Sequence, residues 1–171
     1  MNQKVRFLTQ AAIIAALYVV LTWVAAALGL ASYAIQVRFS EALTILPFFT
    51  PAAIPGLFAG CLLANLMTGC APWDVVIGSI ATLLGALGTY YLSGRAKPGD
   101  RARRKWIAPL PPIAANTLMI PFVLAYVYRL EGAIPYFMLT VGIGEIISCG
   151  ALGMLLLNVL ERYRNHIFPK E

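Results

Sequence analysis

Residues 7–37, 42–73, 75–94 and 106–128 contain no Asp, Glu, Lys or Arg, and a last apolar stretch over about 134–160 is broken only by Glu145. A helix needs about 20 apolar residues to cross about 30 Å of hydrocarbon. The pattern therefore predicts membrane helices over about 7–29, 75–93, 107–128 and 136–160. The first is too long and too uniformly apolar for the roughly 7–15-residue core of a cleaved leader, and more spans follow it.

The stretch 42–73 is different. Its 32 uncharged residues are too many for one straight crossing and too few for two full ones. Pro47, Pro51 and Pro55 punctuate it. Proline lacks the helix N–H and clashes with the preceding turn. Phe48 to Pro55 thus reads as a tight turn between two short helices, about 39–50 and about 55–69.

Charge orders these segments. Eleven of the 13 Lys and Arg residues lie at the N-terminus (Lys4, Arg6), in 94–105 (Arg95, Lys97, Arg101, Arg103, Arg104, Lys105) and in the tail (Arg162, Arg164, Lys170). Basic segments stay cytoplasmic. All three share that side only if the number of crossings is even, with four of them before Gly94. Six spans fit and five do not. The expected fold is a single all-α transmembrane domain over 1–171, a six-helix bundle with both termini cytoplasmic. Arg38 and Arg129 then fall on the outer side.

Composition agrees. Hydrophobic residues make up 60% of the chain and charged residues 12%, against about 25% charged in soluble domains. Lipid must cover much of such a surface. The net charge of +6 sits in orienting loops that also suit anionic headgroups, and no nucleic-acid-binding module accompanies it. Cys61, Cys70 and Cys149 are scattered without a CxxC pair and read as small packing residues. One histidine, His166, cannot build a metal site. No metal or other cofactor is expected.

Small residues mark close helix contacts. Ala11 and Ala15, and Ala12 and Ala16, form two overlapping Ala-x-x-x-Ala pairs in the first span. Residues four apart share a helix face, and small faces let helices approach in lipid. Either pair could pack internally or dock a partner. Gly78, Ala81, Gly85 and Gly88 make a second stripe, read as internal packing.

Polar groups in apolar sequence carry the chemistry. Glu145 lies about nine residues into the last span. A charge at a helix centre costs roughly 2.5–3.5 kcal/mol on insertion scales, so this carboxylate needs a cation, donors, a proton or a ligand. Glu41 stands beside Arg38 at an outer helix mouth, where a salt bridge is the plain alternative to a ligand contact. Trp73 and Asp74 open the fourth span. Asn65 and Asn116 lie inside the third and fifth spans, for cross-helix bonding or for a ligand. On this topology Glu41, Asn65, Trp73, Asp74 and Tyr126 fall in the outer half, with Glu145 and Asn116 deeper. Such a set describes an outward-opening polar pocket in an apolar shell, suited to a flat, donor-rich heterocycle. It offers no phosphate loop, zinc motif or Ser/His pair. Transport rather than catalysis is expected, energised by partner proteins or an ion gradient.

The stretch Gln36-Val37-Arg38-Phe39-Ser40-Glu41-Ala42-Leu43-Thr44-Ile45-Leu46-Pro47 resembles the QueT family. So do Thr50-Pro51-Ala52-Ala53-Ile54-Pro55-Gly56-Leu57-Phe58, Cys61 to Asn65, Trp73 to Val76, Gly78 to Leu84 and Gly142-Ile143-Gly144-Glu145. These are substrate-binding S components of energy-coupling factor transporters. The resemblance implies a multi-pass plasma-membrane component without its own ATPase. It would dock on a transmembrane coupling subunit that carries two ATPase subunits. The docking face would be the Ala-x-x-x-Ala face of the first helix, in either register here. The implied substrate is a queuosine precursor such as 7-aminomethyl-7-deazaguanine. On that reading Glu145 takes the base edge, Glu41 or Asp74 the ammonium arm, Asn65 or Asn116 the carbonyl, and Trp73 stacks. An S component for another vitamin and a stand-alone ion-coupled carrier are the competing readings.

Overall fold

A computed structural model describes residues 2–30, 37–95 and 98–167 of the chain. Gln36, Lys97 and Lys170 lie outside the described residues, and so does the side chain of His166. The described chain is helical, without strands. It contains four helices long and apolar enough to cross a membrane, Gln3–Ala27, Pro72–Ser93, Arg101–Val127 and Ile134–Arg164, and two shorter apolar ones, Phe39–Phe48 and Ala53–Met67. This is the all-helical membrane architecture that the hydropathy pattern predicts.

Helix α1 (Gln3–Ala27) starts at Asn2, whose side chain accepts from the Lys4 N–H, a capping bond that satisfies one orphan donor. A tight 3-10 helix, Phe39–Phe48, follows and includes Pro47. Ten residues at about 2.0 Å each cover only about 20 Å. Residues 40–48 are all buried, so this piece threads the bundle and does not line it. Helix α2 (Ala53–Met67) carries Pro55 in its first turn, where the missing N–H costs nothing.

Helix α3 (Pro72–Thr89) widens into a π turn at Tyr90–Gly94. The short α4 (Arg101–Arg104) leads into α5 (Leu110–Phe122). Pro121 near its end cannot donate, and the chain relaxes into a π turn over Val123–Val127. Helix α6 (Ile134–Glu145) passes through a wide π segment, Ile146–Leu152, into α7 (Gly153–Ile167). That widening begins at the residue after Glu145.

Glycine sets the two closest helix contacts. A Cβ on Gly60 would lie 3.0 Å from both Cα and O of Ala15, and one on Gly56 would lie 2.7 Å from the Ala11 carbonyl oxygen. A Cβ on Gly88 or Gly85 would strike Pro111 or Pro112, at 2.5 and 2.7 Å. Only bare backbone lets α1 meet α2, and α3 meet α5, so closely.

The outside of the bundle is apolar, and its largely apolar interior also holds a set of polar groups. Leu8, Val20, Trp23, Leu118, Leu139 and Leu155 are exposed, whereas Ser40, Glu41, Thr44, Asn65, Asp74, Thr82, Asn116, Glu145 and Ser148 are buried. Exposed apolar side chains are expected when lipid is the solvent, and polar groups are costly there unless they face the bundle interior.

One end of the bundle is tied by charge. The Arg101 guanidinium lies 4.2 Å from the Phe48 ring centroid and its Nε is 3.2 Å from Glu161 Oε1. Arg164 reaches the same oxygen at 3.3 Å, and Lys105 Nζ donates to Asn158 Oδ1 at 3.3 Å. Gln10 of α1 is at this end too, accepting from Thr50 Oγ1 at 2.9 Å.

Candidate functional site

Four elements meet at the centre of the bundle. Tyr18 projects from α1, on the same face as Ala11 and Ala15, and its hydroxyl donates to Glu41 Oε1. Asn116 of α5 donates to Glu41 Oε2 at 3.4 Å. Thr44 Oγ1 donates to the Glu41 carbonyl oxygen at 2.6 Å. Glu145 enters from α6, where the π segment begins, and its Oε2 accepts from the Cys149 thiol at 3.1 Å. Cys149 Sγ also lies 3.4 Å from the Glu41 carbonyl oxygen and 3.3 Å from Thr44 Oγ1.

A small chamber of about 30 Å³ opens among Arg38, Glu41, Cys61, Gly78, Thr82, Asn116, Ile120, Val141 and Glu145. By volume it holds about one water. It adjoins a larger chamber of about 330 Å³ lined by Thr22, Ala25, Ala26, Arg38, Asn65, Thr68, Cys70, Asp74, Ile120, Leu124, Tyr128 and Leu130. Arg38 and Ile120 border both. The larger chamber lies where α1 and α2 end and α3 begins, opposite the Arg101–Glu161 end.

In the larger chamber Asp74 Oδ2 accepts from the Tyr128 hydroxyl at 2.8 Å, and that hydroxyl accepts from the Ala71 N–H at 3.2 Å. Asn65 is 1% exposed and its Nδ2 lies 3.6 Å from Cys61 Sγ. Thr82 Oγ1 donates to the same sulfur at 3.3 Å. Gly78, on the small chamber, keeps room beside Asn65, since a Cβ there would come 3.1 Å from Asn65 Nδ2.

Five of the six sequence-selected ligand residues border one chamber or the other: Glu41, Asn116 and Glu145 the small one, Asn65 and Asp74 the large one. Trp73 does not. It is 66% exposed and borders neither chamber, because α3 turns the residue before Asp74 about 100° away from it. The aromatic side chain that does line the large chamber is Tyr128. Tyr126 is exposed as well.

Glu41 also sits deeper than its place in the sequence suggests. The 3-10 helix begins inside the bundle, so Glu41 lies level with Tyr18 and Asn116 and not at an outer mouth. Among the described residues no carboxylate oxygen comes within 4.0 Å of the Arg38 guanidinium, so the expected alternative of an Arg38–Glu41 salt bridge is not formed.

Sequence reasoning set Arg38 beside Glu41 without a ligand role, and it missed Tyr18, Cys61, Thr82 and Cys149 as neighbours of the site. Tyr18 had a signal. It follows Ala11 and Ala15 at helical spacing, and a buried phenol needs a partner. Cys149 had one too, being four residues beyond Glu145 and so one turn along.

Glu41, Glu145 and Cys149 each bring one donor atom to within 4.8 Å of the others. These groups are already hydrogen-bonded within the protein, and no metal is assigned to them. As a recognition site, the arrangement offers carboxylate acceptors at its floor, one guanidinium at its waist and a third carboxylate near its mouth.

No solved structure matches the chain. Over 74 residues, 43% of each chain, it is 36% identical to the protein named Queuosine precursor transporter QueT of Lactococcus lactis subsp. cremoris (strain MG1363). The chain thus aligns with less than half the length of that relative. A family model described as QueT transporter matches residues 8–162, which include every residue bordering the two chambers, and the chain belongs to the QueT transporter family.

Proposed function

We propose that this protein is the substrate-capturing S component of an energy-coupling factor transporter and that it takes up a 7-deazaguanine queuosine precursor. The observation that carries the reading is Glu145, a carboxylate buried in a membrane-spanning helix and bordering a cavity, with no cation within 4.0 Å among the described residues. Such a group calls for a donor-bearing ligand.

The ring occupies the larger chamber, whose 330 Å³ lies at the small end of the roughly 300–1,000 Å³ usual for ligand pockets. Its donor edge points at the floor, where Glu145 receives adjacent N–H groups. Glu41 already accepts from Tyr18 and Asn116, so the ammonium arm falls to Asp74 near the mouth. Tyr128 supplies the aromatic surface.

The basic end of the bundle faces the cytoplasm by the positive-inside rule. The two short helices form the second and third of six membrane-inserted helices. The chambers then open outward in the plasma membrane, as capture from outside requires.

Partner docking uses Ala12 and Ala16. Ala11 and Ala15 are packed against Gly56 and Gly60, whereas Ala12 and Ala16 are exposed, which favours the second register. They meet a transmembrane coupling subunit bearing two ATPase subunits, which supply the energy.

Titration of purified protein with 7-aminomethyl-7-deazaguanine tests the substrate, alongside a vitamin panel read by thermal shift. Saturable binding of the deazaguanine is expected. Binding of a different vitamin and not of the deazaguanine would replace the substrate assignment. The variant Ala12→Leu with Ala16→Leu is expected to lose complex assembly and uptake while keeping ligand affinity. Uptake by the isolated subunit without ATPase partners would favour the ion-coupled carrier.

A further inference from the structure

We infer that Arg38 is the specificity residue of this site and donates to the carbonyl oxygen beside the ligand's N–H edge. This deepens the proposed function and rests on it.

The position of Arg38 is fixed by its backbone. Its N–H donates to Ser148 Oγ at 3.2 Å, tying the start of the 3-10 helix to the π segment after Glu145. Its side chain borders both chambers at the point where they join. Glu41 and Glu145 lie on one side and Asp74 on the other, yet none of their oxygens is within 4.0 Å of the guanidinium. Arginine carries five N–H donors in a planar fork, stays charged and has no acceptor. Those donors border open space between carboxylates that do not capture them.

The other polar groups of the small chamber are partly engaged within the protein. Both oxygens of Glu41 are engaged by Tyr18 and Asn116, and the Asn116 amide donates to Glu41. Cys61 is occupied by Thr82 and Asn65. Glu145 keeps lone pairs to accept, Asn116 keeps its carbonyl oxygen and one N–H, and Arg38 is the charged donor of the chamber. A ring edge that sets a carbonyl next to an N–H satisfies Glu145 and Arg38 at once. A ring with an amine in the carbonyl's place would set donor against donor and leave a buried charge unmet, which penalises it strongly.

The guanidinium also offsets carboxylate charge, and that effect alone would act on all ligands of one charge alike. Discrimination between two ligands differing only at the acceptor isolates the hydrogen bond. The probes are 7-aminomethyl-7-deazaguanine and its 6-thioxo analogue, which keeps the N–H donors and the arm but weakens the acceptor. They are titrated into the full-length protein and into Arg38→Lys and Arg38→Met. Wild type is expected to prefer the oxo compound severalfold, since the sulfur keeps only part of a charge-assisted bond. The preference is expected to shrink in Arg38→Lys and to fall to about one in Arg38→Met. If Arg38→Met binds neither compound, Arg38→Lys decides. A folded variant that keeps the wild-type preference overturns the inference, and so does a wild type that binds both compounds equally. If wild type binds neither, the inference and the proposed function fall together.

Discussion

Glu145 and Glu161 lie on one continuous helical run, Ile134–Arg164, about 24 Å apart at 1.5 Å per residue. Glu161 holds two arginines, Arg101 at 3.2 Å and Arg164 at 3.3 Å. Glu145 holds a cysteine thiol and borders a cavity. At the basic end of the bundle the chain supplies its own cations, and the carboxylate becomes structure. At the centre the one cation bordering the chamber, Arg38, makes no ion pair within 4.0 Å of Glu145, and on the proposed function that carboxylate is left for a ligand. An acid in an apolar helix is therefore read by what the fold places around it.

The sharpest way to break that comparison is to neutralise each glutamate in turn. Glu145→Gln keeps shape and burial but turns one oxygen into a donor facing the ligand's donors. Affinity for the deazaguanine is expected to fall by more than about tenfold, since a charged hydrogen bond is worth about 1.5–3 kcal/mol. Glu161→Gln is expected to leave affinity within about twofold. Calorimetric titration of the two purified variants distinguishes them, and equal losses would erase the contrast.

Much of this was legible in the sequence, and for physical reasons. An all-helical membrane fold follows from uncharged runs of about 20 residues, because hydrocarbon imposes that length on a helix. Glu145, Asn116 and Asp74 stood out because insertion makes polar groups costly and hence scarce. Depth and rotation were not legible. Glu41 looked like a mouth residue because its neighbour is Arg38, but the 3-10 helix starts within the bundle. Trp73 looked like a stacking partner, yet helical rotation separates it from Asp74. The alanine pairs could not be told apart until Gly56 and Gly60 took Ala11 and Ala15. The π widening after Glu145 has no composition of its own; it shows only in the backbone.

Asp74 gives an intermediate test, because it is a carboxylate near the mouth with one phenol donor. Asp74→Asn is expected to weaken the aminomethyl ligand about three- to tenfold and to leave an analogue with an uncharged arm nearly unaffected. Equal weakening of both would assign Asp74 to structure, beside Glu161.

The structural glutamate has its own readout. Glu161→Gln removes ion pairs that are partly exposed, and Arg101 keeps its place over Phe48. Loss of about 1 kcal/mol or less is expected, seen as a slightly lower melting temperature that rising salt diminishes. The same salt series should move Glu145→Gln little, since a central carboxylate is shielded from bulk ions.

Tyr128→Phe probes the boundary between the two kinds of site with the smallest change, one oxygen atom. The hydroxyl donates to Asp74 and accepts from the Ala71 N–H at the start of α3. Ala71 is the residue preceding that helix, and its N–H is the group the phenol satisfies. Deleting the oxygen removes a structural bond and a positioning bond together. The structural share is a neutral hydrogen bond near the surface, about 0.5–1.5 kcal/mol. The positioning share is smaller, because the Asp74 carboxylate remains and the ligand's own ammonium can orient it. Affinity is therefore expected to fall about twofold, with a measurably lower melting temperature in the empty protein and a smaller deficit once ligand is bound. A loss of affinity as large as that of Asp74→Asn would instead mean that the carboxylate works only when the phenol aims it, and that the mouth of the cavity is built as rigidly as its floor.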